Sequence, residues 1–328
     1  MKHLRFLAVP LAMMFIVAAC TGGGDTPDDE EWPDELVMGF VPSREADQLV
    51  DDIDALTEAL AAGLSDLAGK EITVTGTVPS DYTGLVTAME TGGAQIGAFG
   101  PFSLLQARDR AGAEIILQSE RFGSATYHTQ FFTNNPDAYC DDEPVVDAET
   151  GWQNCNGTAD ADQGPVAEDK IASVPEGTTV SFVEQASASG YIFPATIFIN
   201  NGIDPETDID PLFAGGHDAS VIAVCEGQAE VGVSFDDARG AAETTCDLTQ
   251  IVVFAYGPEI PNDGWAVDGD LPEDLKEAIT QILLDYSASE EGQAVLNSIY
   301  EIDALVPADQ DAFTIVEQAA DELGITGD

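Results

Sequence analysis

Short apolar runs alternate with amphipathic stretches along almost all of the chain beyond residue 35, and that alternation narrows what it can fold into. Stretches 36–41, 72–76 and 95–99 have the length and content of buried strands, while 45–67, 82–90 and 102–111 repeat apolar residues at helical spacing. Ser80 or Asp81 is placed to cap the helix at 82–90. Residues 114–118 are extended again. Such a β-α-β-α order predicts an α/β fold with mostly parallel sheets and helices on both faces. A loop-rich stretch, 134–169, is predicted as a surface insertion, and the alternation then resumes. Strands are predicted at 178–183, 230–234 and 251–256, and helices at 190–200, 219–226, 273–284 and 289–299. No internal repeat with a period of about 20–50 residues is present. Two sheet-centred lobes imply a cleft, and ligands of open α/β sheets sit beyond the carboxyl ends of strands.

Ahead of this body, Lys2 and Arg5 precede an apolar run over 6–19 that ends in Val17-Ala18-Ala19-Cys20. This has the charged start, short apolar core and small-residue cleavage site of a secretory signal. It is shorter than the roughly 20 apolar residues a spanning helix needs, so 1–19 is expected to be removed. Cys20 after small residues resembles the lipobox of bacterial lipoproteins, in which that thiol is acylated and becomes the new N-terminus; a plain secreted protein with a coincidental Cys20 is the alternative. Residues 20–35, rich in Gly, Asp, Glu and Pro, read as a flexible tether. The expected location is extracytoplasmic, lipid-anchored to the cell membrane on its periplasmic or surface side.

Four further cysteines follow, Cys140, Cys155, Cys225 and Cys246, an even number in a chain that leaves the reducing cytosol. Two disulfides are the expectation, and sequence proximity favours Cys140–Cys155 and Cys225–Cys246 over the other pairings. A metal site is the rival, but no pair has CxxC spacing and the three histidines do not cluster with them. No metal or other cofactor is expected. The formal net charge of −51, from 61 acidic against 10 basic residues, excludes a nucleic-acid partner, which needs a basic footprint. The acids are spread among apolar runs, as on the coat of salt-adapted proteins. At about 1 M salt a screening length near 3 Å would relieve their repulsion.

Two motifs stand at strand-to-helix junctions. Ser187-Ala188-Ser189-Gly190-Tyr191-Ile192-Phe193-Pro194 follows a strand and opens a helix, where about four backbone amides lack internal partners and the helix dipole is positive. Two hydroxyls and a glycine there make an anion receptor without a cationic side chain; ordinary serine N-capping is the plainer reading. Gly215-Gly216-His217-Asp218-Ala219 offers an imidazole donor beside a carboxylate that caps the helix or sets the tautomer, unless His217 is a lone surface histidine. Asp81-Tyr82, Gly100-Pro101-Phe102-Ser103 and Tyr127 would face the same ligand, or serve as core and caps.

In this order, Asp81-Tyr82, Gly100-Pro101, Tyr127, Ser187-x-Ser189-Gly190-Tyr191-x-x-Pro194, His217-Asp218 and Phe235-Asp236-Asp237-Ala238-Arg239 resemble the phosphate/phosphite/phosphonate-binding receptors of ABC transporters, the PhnD-like family. The resemblance runs from about residue 36 to beyond 299. It implies a two-lobed type II periplasmic-binding-protein fold with two hinge crossovers, lobe one from 36–126 and 257–328 and lobe two from 127–256, the latter carrying the insertion 134–169. It implies capture of a small phosphorus oxyanion by Ser187, Ser189, the Gly190 amide, His217, Tyr82 and Tyr127, with Pro101, Phe102, Ser103 and Ala188 in the walls. Asp218, or Asp236 and Asp237, would accept from a protonated phosphonate oxygen or a ligand amine. ABC permease and ATPase subunits are the implied partners of a monomeric receptor that is not an enzyme. Two departures stand out: Ala188 where the family commonly has Thr, and Leu104 where it often has Tyr. A serine hydrolase is the remote alternative, and it lacks a Gly-x-Ser-x-Gly elbow. A receptor of the same fold for a sulfonate or a pyrimidine precursor is the nearer one.

Overall fold

The computed structural model describes residues 31–43, 50–148, 150–160 and 164–325; the predicted signal 1–19, Cys20 and the tether as far as residue 30 lie outside them. The described residues form thirteen strands: β1 (Glu35–Phe40), β2 (Thr73–Thr77), β3 (Ile96–Phe99), β4 (Glu114–Glu120), β5 (Thr126–Thr133), β6 (Val145–Val146), β7 (Gln153–Asn154), β8 (Thr179–Phe182), β9 (Asp210–Phe213), β10 (Val231–Phe235), β11 (Val252–Pro261), β12 (Gly264–Val267) and β13 (Ala304–Pro307). They assemble into two sheets, ordered β13-β4-β12-β3-β1-β2 and β6-β7-β11-β5-β10-β8-β9. Each sheet is the centre of one lobe of a mixed α/β fold.

The sheets are mixed, where mostly parallel ones are expected from the sequence. β1 runs parallel to β2 and β3, but β12 lies antiparallel to both β3 and β4. In the second sheet β10 and β11 are both antiparallel to β5. The cause is the chain's double passage between lobes. β4 leaves the first sheet toward the second and β12 returns from it, so neighbours in the same sheet must run in opposite directions. β5 and β11 repeat this on the other side. Both passages are short, residues 121–125 and 262–263, and they are tied together: the Asn262 amide donates to the Ala125 carbonyl at 2.8 Å and its Nδ2 to the Ser124 carbonyl at 2.9 Å.

Apolar packing fixes the sheets under their helices. Trp265 on β12 is fully buried, meets Phe40 edge-on at 6.3 Å, and donates from Nε1 to Ser119 Oγ at 3.1 Å, so its one polar atom is satisfied. In the second lobe Phe131 packs against Phe198 at 5.9 Å and Phe254 at 6.3 Å. The helix Thr314–Glu322 lies against the helix Pro101–Ala111 of the first lobe and Phe193–Asn200 of the second. Thr196 Oγ1 donates to the Ala319 carbonyl at 3.1 Å.

The disulfides are Cys140–Cys155 and Cys225–Cys246, the pairing favoured by proximity. The segment 134–169 is more than a surface insertion, because β7 within it extends the second sheet beside β11. Arg239, 1% exposed, anchors it by donating to the Gln153 carbonyl at 2.7 Å and Asn154 Oδ1 at 3.0 Å, while the guanidinium is paired with Asp237 and lies over Trp152. Among the described residues no helix is long and apolar enough to cross a membrane, and no cluster of three or more His, Cys, Asp or Glu side chains is arranged to hold a metal ion.

Candidate ligand-binding cleft

Between the two sheets lies a cavity of about 340 Å³, within the size range of small-molecule sites. Four helix starts reach its wall. Tyr82 is the first residue of the helix Tyr82–Glu90, capped by Asp81 through the Gly84 amide, and Gly100 and Pro101 open the helix Pro101–Ala111. Ser187 caps the π-turn Ala188–Ile192, which runs on into Phe193–Asn200, and His217 begins the helix His217–Cys225. At a helix start the first amides lack intrahelical partners and the dipole is positive; here the Tyr82 amide is taken by Glu184 and the His217 amide by the Ser43 carbonyl. The first two starts belong to the first lobe and the last two to the second.

Of the residues proposed from sequence, Tyr82, Pro101, Tyr127, Ser187, Ala188, Ser189, His217 and Asp236 line the cavity. Phe102, Ser103 and Asp218 are buried beside it without being part of the lining, and Ser103 Oγ donates to the Gly100 carbonyl at 3.1 Å. Leu104 is buried against Gly264 of β12. The Gly190 amide is not available to a ligand: it donates to Ser187 Oγ at 3.1 Å. Glycine is needed there for another reason. The Gly190 carbonyl accepts from the Val183 amide at 3.0 Å, and a Cβ at 190 would stand 2.4 Å from Val183 Cβ. The amides of Ala188 and Ser189 form no hydrogen bond among the described residues. They are the backbone donors this turn can present.

Around that turn the side chains are held in place. The Ser189 carbonyl accepts from Thr129 Oγ1 at 2.6 Å, and both Ser189 and Tyr127 line the cavity. Burial, then the Asp263 carboxylate, push the Tyr127 phenol well above its ordinary value, so it stays a protonated donor. Tyr82, 2% exposed, is shifted the same way, chiefly by burial. His217 Nδ1 meets Ser234 Oγ at 2.7 Å, its ring lies 4.8 Å from that of Phe235, and its backbone amide donates to the Ser43 carbonyl of the opposite lobe at 3.2 Å.

The far end of the cavity is built by residues absent from the sequence-derived set. Arg121 and Asp263 form an ion pair there, and Arg121 Nε donates to the Tyr300 carbonyl at 2.6 Å. Burial opposes the Arg121 charge, yet the Asp263 carboxylate outweighs it and the net shift is upward. Asp236 accepts from the His128 amide at 2.7 Å, and its second oxygen lies 3.3 Å from His128 Nδ1. His128 Nε2 accepts from the Gly164 amide at 2.9 Å, so the proton is on Nδ1 and the ring is neutral. Asp237 is withdrawn from the expected ligand role: both its oxygens bind Arg239, and Gln130 Nε2 donates to Oδ1 at 3.1 Å.

A further contact spans the lobes. The Tyr82 amide donates to both carboxylate oxygens of Glu184, at 3.2 and 3.1 Å. Burial raises the Glu184 carboxyl to about 7, with the Tyr82 amide pulling it down and Asp81 pushing it up.

The sequence profile of a family described as the ABC transporter, phosphonate, periplasmic substrate-binding protein matches residues 38–313. The chain is 27% identical over 242 residues to the phosphate-import protein PhnD of Mycolicibacterium smegmatis, covering 70% of this chain and 65% of that one. It is 24% identical over 223 residues to the phosphonates-binding periplasmic protein of Escherichia coli, covering 67% and 58%. The matched region thus spans less than two thirds of either relative. In fold it is similar to PhnD1 of Prochlorococcus marinus, solved in complex with methylphosphonate, with a TM-score of 0.71, 16% identity and coverage of 89% of this chain and 99% of that one.

Proposed function

The chain belongs to the family of periplasmic phosphonate substrate-binding proteins of ABC transporters, and from that premise we propose that its cleft captures a small phosphorus oxyanion (phosphonate, phosphite or phosphate) for delivery to a membrane permease and its ATPase. The observation that carries this reading is the convergence of four helix starts, two from each lobe, on one cavity. Helix starts and neutral hydroxyls attract an anion locally, whereas the acidic coat acts from a distance and is screened.

In this reading the ligand oxygens accept from the Ala188 and Ser189 amides, the Ser187 and Ser189 hydroxyls, His217, Tyr82 and Tyr127. Micromolar capture needs about 8 kcal/mol, within reach of five or more charge-assisted hydrogen bonds at about 1.5–3 kcal/mol each once association costs are met. Asp236 accepts from a protonated ligand oxygen or an amine. Acylation of Cys20 would hold the receptor at the outer side of the cell membrane. A hydrolytic role finds no support in the hydrogen bonding: Ser187 Oγ caps Gly190, and His217 Nδ1 meets Ser234.

Thermal-shift and calorimetric titration with phosphate, phosphite, methylphosphonate, 2-aminoethylphosphonate and an alkylsulfonate tests the assignment. A ligand at 100 times its Kd is expected to add about 2.7 kcal/mol of stability. A response to the sulfonate alone would transfer the protein to another solute class.

A further inference from the structure

Glu184 does not line the cavity, and the oxyanion reading leaves it without a task. It follows β8 and precedes the Ser187 turn, half-buried. Its carboxylate takes the Tyr82 amide with both oxygens, at 3.2 and 3.1 Å, across 102 residues of sequence and from one lobe to the other. Its carbonyl accepts from the Ser187 amide at 2.9 Å. One residue therefore joins the start of the helix Tyr82–Glu90 to the turn that presents Ser187, Ala188 and Ser189. The groups facing its carboxylate are the Asp81 carboxylate and the buried Tyr82 phenol, and among the described residues no basic side chain pairs with it.

We propose that Glu184 is a positioning residue for capture: docked on the first amide of the Tyr82–Glu90 helix, it sets the spacing between that helix and the Ser187–Ser189 turn when the two lobes meet around the ligand. This rests on the oxyanion reading of the cleft. A carboxylate on a helix start is a favourable contact in itself. Here it is made in a half-buried place with another acid beside it, and that gives the contact a pH signature. With the lobes apart, the carboxyl is in water and keeps its ordinary value of 4.5; docked, it is raised to about 7. The docked form binds the proton more tightly. Its contribution to closure is therefore fully present below the ordinary value, shrinks as pH rises from there, and is lost above about 7.

The test is calorimetric affinity for methylphosphonate at about pH 8 and pH 5 in wild type, Glu184→Gln and Glu184→Ala. The ligand's own ionisation is common to all three and cancels in their ratios. The expected result is a wild-type to Glu184→Gln affinity ratio that rises at least tenfold from pH 8 to pH 5, with Glu184→Ala weaker than Glu184→Gln at both. A ratio that stays level, or a Glu184→Ala variant that binds as wild type does at pH 5, overturns the inference while leaving the site assignment standing. Absence of heat from wild type with every phosphorus oxyanion overturns both.

Discussion

Arg121 and Asp263 are paired across the two short segments that carry the chain between its lobes, and both face the cavity. With side chains 16% and 20% exposed, the pair is shielded enough for its loss to matter. Arg121 also binds the Tyr300 carbonyl and Asn262 Oδ1, so a single guanidinium ties both crossovers to the end of the helix Glu290–Tyr300.

Replacing Arg121 by Met strands the Asp263 carboxylate and the Tyr300 carbonyl together. Breaking a buried pair from one side costs about 3 kcal/mol, and urea unfolding is expected to show that loss. Asp263→Asn keeps an acceptor for Arg121 and should lose less. Equal, negligible losses in both variants would remove the hinge pair from the list of stabilising contacts.

Ser189→Ala and His217→Ala are each expected to weaken oxyanion binding at least tenfold while circular dichroism and melting stay near wild type. Each loses a hydrogen-bond donor, a step of roughly 1.4 kcal/mol or more. Titration calorimetry reads the outcome directly, and unchanged affinity in both places the site elsewhere.

Gly190→Ala tests the turn rather than the donors. The new methyl would stand 2.4 Å from Val183 Cβ and 2.8 Å from Ser187 Oγ, so the backbone must move. Overpacking of this kind costs about 1–3 kcal/mol. A matched fall in stability and affinity is expected, since the displaced segment carries Ser187 and Ser189. Stability and binding equal to wild type would show that the turn has slack.

Removing Cys225–Cys246, which closes a separation of 21 residues, is expected to cost about 3 kcal/mol by freeing the unfolded chain. None of its atoms lines the cavity, so affinity at a temperature well below the melt should be preserved. A Cys225→Ser/Cys246→Ser variant followed by differential scanning calorimetry and ligand titration separates the two effects.

Salt should raise the melting temperature markedly between about 10 mM and 1 M, because the screening length falls from about 30 Å to 3 Å. The charge of −51 supplies the repulsion being screened. A melting temperature indifferent to salt would mean that the acids are too well dispersed to repel one another.

The turn proposed to hold the anion is legible in the sequence because its chemistry is local. Ser187, Ser189 and Gly190 sit together after a strand, and His217 opens a helix after two glycines; such junctions are visible in composition and spacing. Arg121 and Asp263 are not local: only the adjacency of β4 and β12 brings them together. Nor is β12 itself, four residues long and bearing no period to read. Asp237 misled for the converse reason. Beside Asp236 it looks like a second acceptor, and only the burial of Arg239 reveals that it is occupied. Glu184 reads as a loop acid until the Tyr82 amide is found against it.

The helix Thr314–Glu322 lies against one helix from each lobe, and its Val316, Ala319 and Ala320 are buried. Two of these three side chains are single methyl groups, which makes a smooth bearing. Small rotations glide over it with little change in what touches what, whereas a wide gape would strip that face bare to water at about 25 cal/mol per Å². In the function proposed above, that exposure is a cost of opening which favours the lobes together before any ion arrives.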